Sequence, residues 1–253
     1  THWRKFMHVV RVYYDGDIKS NTLITLGIKA SHHILRVLRI NIGDALVIFN
    51  GKAGEYSATL TAIKHKHAIV AVTTMQRTQT ESPVQLELAQ GISRGERMDY
   101  ALQKAVELGV SKITPLFTER CGVKLSAERL AKKRDQWQKI VISACEQSGR
   151  CIVPQVTEPA FLNDWLSQET NALKLNLHPK AEHSIMTLPI DSTQNNQQVR
   201  LLIGPEGGLT NEEISQANTA EFQDVLLGPR VLRTETAALT AITALQCRFG
   251  DLQ

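Results

Sequence analysis

Short apolar runs of two kinds divide this chain. Over residues 9–75 they alternate with polar positions or are β-branched, as in Leu23-Ile24-Thr25-Leu26, Ala45-Leu46-Val47-Ile48-Phe49, Tyr56-Ser57-Ala58-Thr59-Leu60 and Ala68-Ile69-Val70-Ala71-Val72. Asp15-Gly16-Asp17, Ile42-Gly43-Asp44 and Asn50-Gly51-Lys52 punctuate them as turns. That pattern predicts a small β-rich domain over residues 1–75. Residues 31–39 break it. Ile34 and Leu38 share a helical face, while His32, Arg36 and Arg39 fall together opposite at i, i+4 and i+7. The spacing predicts a helix with one buried face and one cationic face, which either meets RNA or is simply solvated. Residues 76–83 are polar, end in Pro83 and read as a linker.

From Val84 the period changes. Strands are predicted near 84–91, 110–117, 152–157, 173–178, 199–203 and 224–227, and helices near 97–108, 127–148, 160–167, 211–218 and 235–248. Such alternation defines an α/β domain with a mostly parallel sheet over residues 84–253. In the 127–148 segment Leu130, Trp137, Ile140, Val141 and Ala144 take helical spacing, with Lys132, Lys133 and Arg134 outside. The last helix is apolar on nearly every side, which suits burial in a core or in a subunit interface.

Charge sharpens the division. Residues 1–80 hold 11 Lys+Arg against 4 Asp+Glu, a net of +7, although the whole chain carries only +4. A basic module beside a near-neutral one fits either a polyanion partner for the first or a solvated basic surface. The 253 residues suffice for two domains, and the 42% hydrophobic content is that of a soluble globular chain. No apolar run approaches the roughly 18 residues of a membrane span, so no membrane partner is expected. The first six residues carry no apolar core of a secretory signal, and Met7 stands as a candidate start. Cys121, Cys145, Cys151 and Cys247 lack metal-ligand spacing, so reduced cytosolic thiols and no metal are expected.

The candidate chemistry sits in two glycine turns. Val199-Arg200-Leu201-Leu202-Ile203 runs into Gly204-Pro205-Glu206-Gly207-Gly208, and Val225-Leu226-Leu227 into Gly228-Pro229-Arg230-Val231-Leu232-Arg233-Thr234-Glu235-Thr236-Ala237. Glycine at a strand end lets a ligand approach the main chain. Thr210 and Glu213 fit a capping box, so a helix starts directly after the first turn. A phosphate ligand is disfavoured there: no P-loop lysine follows, and Glu206, Glu212 and Glu213 would repel an anion. An acidic rim suits a cationic ligand instead. The spacing is not G-x-G-x-x-G, which excludes an ordinary dinucleotide turn.

This pair of turns resembles the signature of the SPOUT class of RNA methyltransferases, in particular the bacterial family that makes 3-methyluridine in 16S ribosomal RNA. Further matches are Ile92-Ser93-Arg94-Gly95-Glu96-Arg97-Met98, residues 104–109, Glu119-Arg120-Cys121, Ala144-Cys145-Glu146-Gln147, Leu175-Asn176-Leu177-His178-Pro179 and residues 32–43. The resemblance implies a trefoil-knotted C-terminal domain, a PUA-like N-terminal domain, S-adenosyl-L-methionine as cofactor, and a cytoplasmic homodimer acting on 16S rRNA or the small ribosomal subunit. It places the cofactor in loops 177–180, 204–208 and 227–234. Expected contacts there are Leu177, His178, Ile203, Gly204, Pro205, Glu206, Gly207, Gly208, Leu227, Gly228, Val231, Leu232, Thr234 and Thr236, with Ile203 and Val231 as apolar walls. Gly228-Pro229 departs from the residue often seen after that glycine in the family, which stiffens the loop.

Methylation at uridine N3 removes a proton and builds negative charge on N3, O2 and O4, which a guanidinium would stabilise. Arg233 is the first candidate for that role. Glu206 or Glu235 would accept the proton or hold the arginine, and Glu235 is equally well a first-turn helix carboxylate. Arg94 and Arg97 are candidates for phosphate or partner-subunit contacts, and Arg11, His32, Arg36 and Arg39 for RNA in the basic module. Two other functions fit the same pattern: a SPOUT ribose 2′-O-methyltransferase on tRNA or rRNA, and a non-catalytic RNA-binding ribosome-assembly factor.

Overall fold

The computed structural model describes residues 9–52, 54–122, 127–189 and 198–253, and the chain divides into two compact units. The first holds the described residues up to Glu81 together with Cys145–Val153; the second runs from Ser82 to Ala144 and from Pro154 to Gln253. The candidate start at Met7 and the six residues before it lie outside the described residues.

In the first unit β1 (Val10–Tyr13), β2 (Leu23–Thr25), β3 (Ala45–Phe49), β4 (Glu55–Lys64) and β5 (His67–Gln76) form one sheet in the order β1-β3-β4-β5-β2. Only β1 and β3 run parallel; the other pairs are antiparallel. Alternate positions point inward, so Leu46, Ile48, Leu60, Ala68 and Val70 are fully buried in a core with Ile34. Residues 31–39 are not one regular helix. A short α1 (Ile28–His32) passes into a π-turn, His33–Val37, where the Leu38 N–H donates to the His33 carbonyl at 3.0 Å. Arg39 then takes a left-handed φ of +55°, which ends the helix. Ile34 is buried as expected and Leu38 is exposed, because the wider turn rotates the later side chains out of the 3.6-residue phase.

Residues 145–153 belong to this unit by contact, although the periodicity assigns them to the α/β domain. Glu146 accepts the Tyr13 N–H at 3.0 Å, and the buried Arg150 pairs with Glu81 at 2.5 Å. Burial pushes the Glu146 carboxyl above its ordinary range, partly opposed by that Tyr13 N–H and by His33 and Arg11.

The second unit is a parallel sheet of β6 (Gln85–Gly91), β7 (Lys112–Phe117), β8 (Gln155–Val156), β10 (Leu173–Leu177), β11 (Gln198–Ile203) and β12 (Gln223–Val225), in the order β12-β10-β11-β6-β7-β8. A short β9 (Ala160–Phe161), inside the segment predicted as helix 160–167, also joins β7. The helices are α2 (Glu96–Glu107), α3 (Ala127–Ser148), α4 (Leu162–Leu166), α5 (Asn211–Thr219) and α6 (Thr234–Phe249). Their near-continuous apolar strands are those of a sheet covered on both faces: Leu86, Leu88, Ala89, Leu201 and Leu202 have no exposed surface. In α6, Ala238, Ala241, Ile242 and Leu245 are buried, while Thr236, Thr240 and Cys247 are exposed.

Candidate functional site

All strands of the second sheet run the same way, so the loops after β10, β11 and β12 emerge at one end, side by side. This crevice at the C-terminal strand ends is where open α/β sheets take ligands. Backbone contacts bind the three loops into one structure. The His178 N–H donates to the Val225 carbonyl at 2.9 Å, and the Leu226 N–H to the His183 carbonyl at 3.0 Å. The Thr234 hydroxyl, at the first residue of α6, donates to the Gly204 carbonyl at 2.6 Å.

Gln90, the penultimate residue of β6, organises the centre. Its Nε2 donates to the Thr234 hydroxyl at 2.9 Å and to the Gly91 carbonyl at 3.2 Å, and reaches the Gly204 carbonyl at 3.5 Å. Gly91 beside it is indispensable: an added Cβ would sit 2.5 Å from the Pro205 nitrogen. Two buried acceptor atoms here have no partner, Gln90 Oε1 and Glu235 Oε2; Asn176 Oδ1, near the end of β10, is a third. Buried polar atoms are rarely left unpaired, so these mark a place where a donor or a cation belongs.

The glycine turn is held from outside by charge. Glu206 accepts the Arg94 N–H at 2.9 Å and the Arg97 guanidinium at 3.1 Å. Burial alone would raise the Glu206 carboxyl, but hydrogen bonds from its own and the Arg94 backbone, with Arg97 beside it, leave it below the ordinary value. Glu206 therefore grips the 94–97 segment, not Arg233, and is a weak base. Arg120 donates to the Gly207 carbonyl at 3.0 Å and the Leu209 carbonyl at 3.4 Å, with its stem against Gly207. Gly208 takes a left-handed φ of +68°. The Thr210–Glu213 capping box starts α5, and Glu213 also accepts the Glu119 N–H at 2.7 Å.

The other expected cofactor residues fall along these loops. Leu177, His178, Gly204, Leu227 and Leu232 are half-buried, Ile203 and Pro205 buried, and Gly228 and Thr236 exposed. Two depart from their expected roles. Val231 is 94% exposed, so it lines no apolar wall within this chain. Thr234 is buried and spends its hydroxyl on Gly204 and Gln90. Arg233 is the N-cap residue of α6, with its side chain exposed.

In the first unit His32, Arg36 and Arg39 are exposed, but Arg39 lies beyond the helix and not on a shared helical face. Arg11 is taken out of the surface set. Its side chain is 12% exposed, pairs with Glu55, donates to the Arg150 carbonyl at 3.1 Å and lies over the Phe49 ring.

Sequence reasoning missed Gln90, Gly91, Arg120 and Asp224, which accepts Asn176 Nδ2 at 2.8 Å. A polar pair, Gln90-Gly91, closing a buried apolar run was the available signal for the first two. Among the described residues no cluster of three His, Cys, Asp or Glu could hold a metal ion, and no helix is long and apolar enough to cross a membrane.

Comparison with known proteins shows the family. The family described as RNA methyltransferase domain matches residues 80–246, and RNA methyltransferase PUA domain matches residues 27–73. The chain belongs to this RNA methyltransferase family, in its SPOUT class with a PUA-like N-terminal domain. Among its relatives, ribosomal RNA small subunit methyltransferase E of Buchnera aphidicola (subsp. Schizaphis graminum) is 38% identical, over 96% of this chain and 98% of the relative. The protein of the same name from Bacillus subtilis is 30% identical, over 85% and 86%. The Neisseria gonorrhoeae ribosomal RNA small subunit methyltransferase E, solved bound to S-adenosyl methionine, superposes with a TM-score of 0.89 at 38% identity, covering 97% of this chain and all of that one. A Legionella pneumophila protein solved with bound SAM gives 0.91 at 41%, with the same coverage.

Proposed function

We propose that this chain methylates N3 of a uridine in 16S ribosomal RNA with S-adenosylmethionine, as a cytoplasmic homodimer. The observation that carries the reading is the joined set of loops after β10, β11 and β12, with unpartnered acceptors beside them at Gln90 and Glu235. The fit to the cofactor is chemical. A cationic ligand with an ammonium and a sulfonium suits acceptor-only atoms such as Gln90 Oε1 and Glu235 Oε2, whereas a phosphate would not. Main-chain groups of Leu177, Gly204, Leu227 and Leu232 would hold its adenosine. When bound, the cofactor supplies an electrophilic methyl group.

The chain's own residues do the rest. Arg233, exposed at the start of α6, offers its guanidinium to the uracil oxygens as negative charge develops. Glu206 is committed to Arg94 and Arg97, so proton acceptance falls to Glu235, whose Oε2 is free. Arg36 and Arg39 meet RNA phosphates from the basic unit.

Nucleoside mass spectrometry of 16S rRNA, with and without the active protein, tests the reading. A gained base methylation at uridine N3 supports it; a gained ribose methylation moves the chain to the 2′-O class. Calorimetry with S-adenosylmethionine covers the remaining possibility, since an assembly factor without catalysis has no need to bind it.

A further inference from the structure

We propose that a cavity between the start of α2 and α3 seats a backbone phosphate of the substrate RNA; this rests on the RNA methyltransferase reading above. The cavity is about 280 Å³, and its lining includes the cationic Arg129, Lys132 and Lys133 and the buried Ile92 and Trp137. Among the described residues no carboxylate lines it. Gly95 closes one side with a left-handed φ of +62°, and as N-cap of the 12-residue α2 it supplies no side-chain cap.

The three cations differ in freedom. Lys133 is anchored, 3.5 Å from Asp99 and over the Trp137 ring at 5.7 Å, and Asp99 is further occupied by Trp137 Nε1 at 3.2 Å. Lys132 pairs with Glu128 one turn away, but both side chains are at least three-quarters exposed. So exposed a pair is weak and yields readily to a phosphate. Arg129 is exposed. One anchored and two exposed cations beside buried apolar residues suit a phosphate and its sugar, and not a free hydrophobic ligand.

Position supports the assignment. The lining residues Ile92 and Ser93 directly follow β6, the strand whose Gln90 ties the glycine loops together. Arg94, next in the chain, gives its N–H to Glu206 in the cofactor turn. An RNA strand entering the crevice thus meets this cavity across a single short segment.

The test uses the full chain with S-adenosylmethionine and the double variant Arg129→Gln, Lys132→Gln. For single-stranded 16S RNA containing the target, each lost phosphate contact lowers the slope of log affinity against log salt by about 0.7. The expected result is a slope shallower by about one such step, with cofactor affinity by calorimetry at the parental value. Arg129→Lys should keep most of the slope. A folded double variant with the parental slope overturns the proposal. So does a variant that loses affinity for inorganic phosphate but not for RNA, because the cavity is then a general anion site. A parent that neither binds the cofactor nor methylates the RNA sinks the underlying reading instead.

Discussion

At the N-terminal ends of β6, β7 and β11, Glu87 accepts from Thr114 at 2.7 Å and Trp165 at 3.1 Å and lies between Arg200 at 3.1 Å and Lys112 at 3.2 Å. Arg200 stacks on Trp165, 3.9 Å from its centroid, and donates to the Trp165 carbonyl at 3.2 Å. At the opposite end of the sheet, Gln90 in β6, Asn176 in β10 and Glu235 at the start of α6 keep acceptors with no partner, whereas at the first end the Arg200 Nε donor lies 3.1 Å from Glu87 without an aligned hydrogen bond. The first end holds the larger cavity, about 440 Å³ against 280 Å³. The proposed site therefore does not coincide with the larger of these two cavities. Polar groups that satisfy one another hold the sheet together, while groups left unsatisfied in a rigid frame are available to a ligand.

The largest effect should come from breaking the satisfied end. Arg200 is 5% exposed on its side chain and Glu87 13%, so Arg200→Met takes the buried cation from a mostly buried carboxylate and leaves it Lys112, Thr114 and Trp165. Loss of one partner from a buried pair costs about 3–5 kcal/mol, and Lys112 beside Glu87 keeps the cost here near the low end of that range. Urea unfolding should show that loss, while the folded variant binds S-adenosylmethionine with parental affinity. A large fall in cofactor affinity without a fall in stability would reverse the roles of the two ends.

Arg233→Met attacks the other end and should leave stability alone. Turnover should fall by about two to three orders of magnitude, the usual cost of one transition-state donor. Arg233→Lys keeps the charge but loses the fork and should fall between variant and parent. Higher pH should partly rescue the methionine variant, because more uridine is then already deprotonated at N3. If cofactor affinity collapses while single-turnover rate at saturating cofactor stays parental, Arg233 belongs to the cofactor site.

These two arginines also show what the sequence could disclose. The strand and helix alternation, the 127–148 helix and the Thr210–Glu213 cap are local patterns, and each appears in the structure. The glycine turns were legible for the same reason. Long-range commitments were not. Arg11 reads as a surface cation in the sequence, yet it pairs with Glu55, 44 residues away. Gln90 meets Thr234 across 144 residues, and Arg120 meets Gly207 across 87. No period or composition encodes such partners. The π-turn at His33–Val37 is local yet still escaped, because its side-chain pattern imitates an α-helix for one turn.

Gln90→Leu should have an intermediate effect. It fills the same volume but removes the donor to the Thr234 hydroxyl, at a cost of about 1–3 kcal/mol for buried groups left unpaired. Because that bond joins the start of α6 to the Gly204 loop through Thr234, cofactor affinity should fall alongside the melting temperature. Calorimetry and thermal unfolding measure the two together. Stability loss with unchanged affinity would make Gln90 a core residue only.

The smallest effect contrasts two carboxylates, Glu206 and Glu87, one at each end. Both sit below the ordinary carboxylate value in spite of burial, which pushes the other way. A folded value below the unfolded one means the unfolded chain binds more protons. Stability from such a group is therefore present at neutral pH and lost as pH falls through its folded value. Glu206 is 25% exposed on its side chain and its partner Arg97 48%, so solvent screens their pairing. Glu206→Gln should cost less than about 1 kcal/mol at neutral pH. It should slightly flatten the loss of stability on acidification, and Glu87→Gln should flatten it more. Urea unfolding from neutral to acid pH reads both. A steeper dependence on Glu206 than on Glu87 would mean that the glycine turn, and not the polar cluster at the far end, holds this sheet against acid.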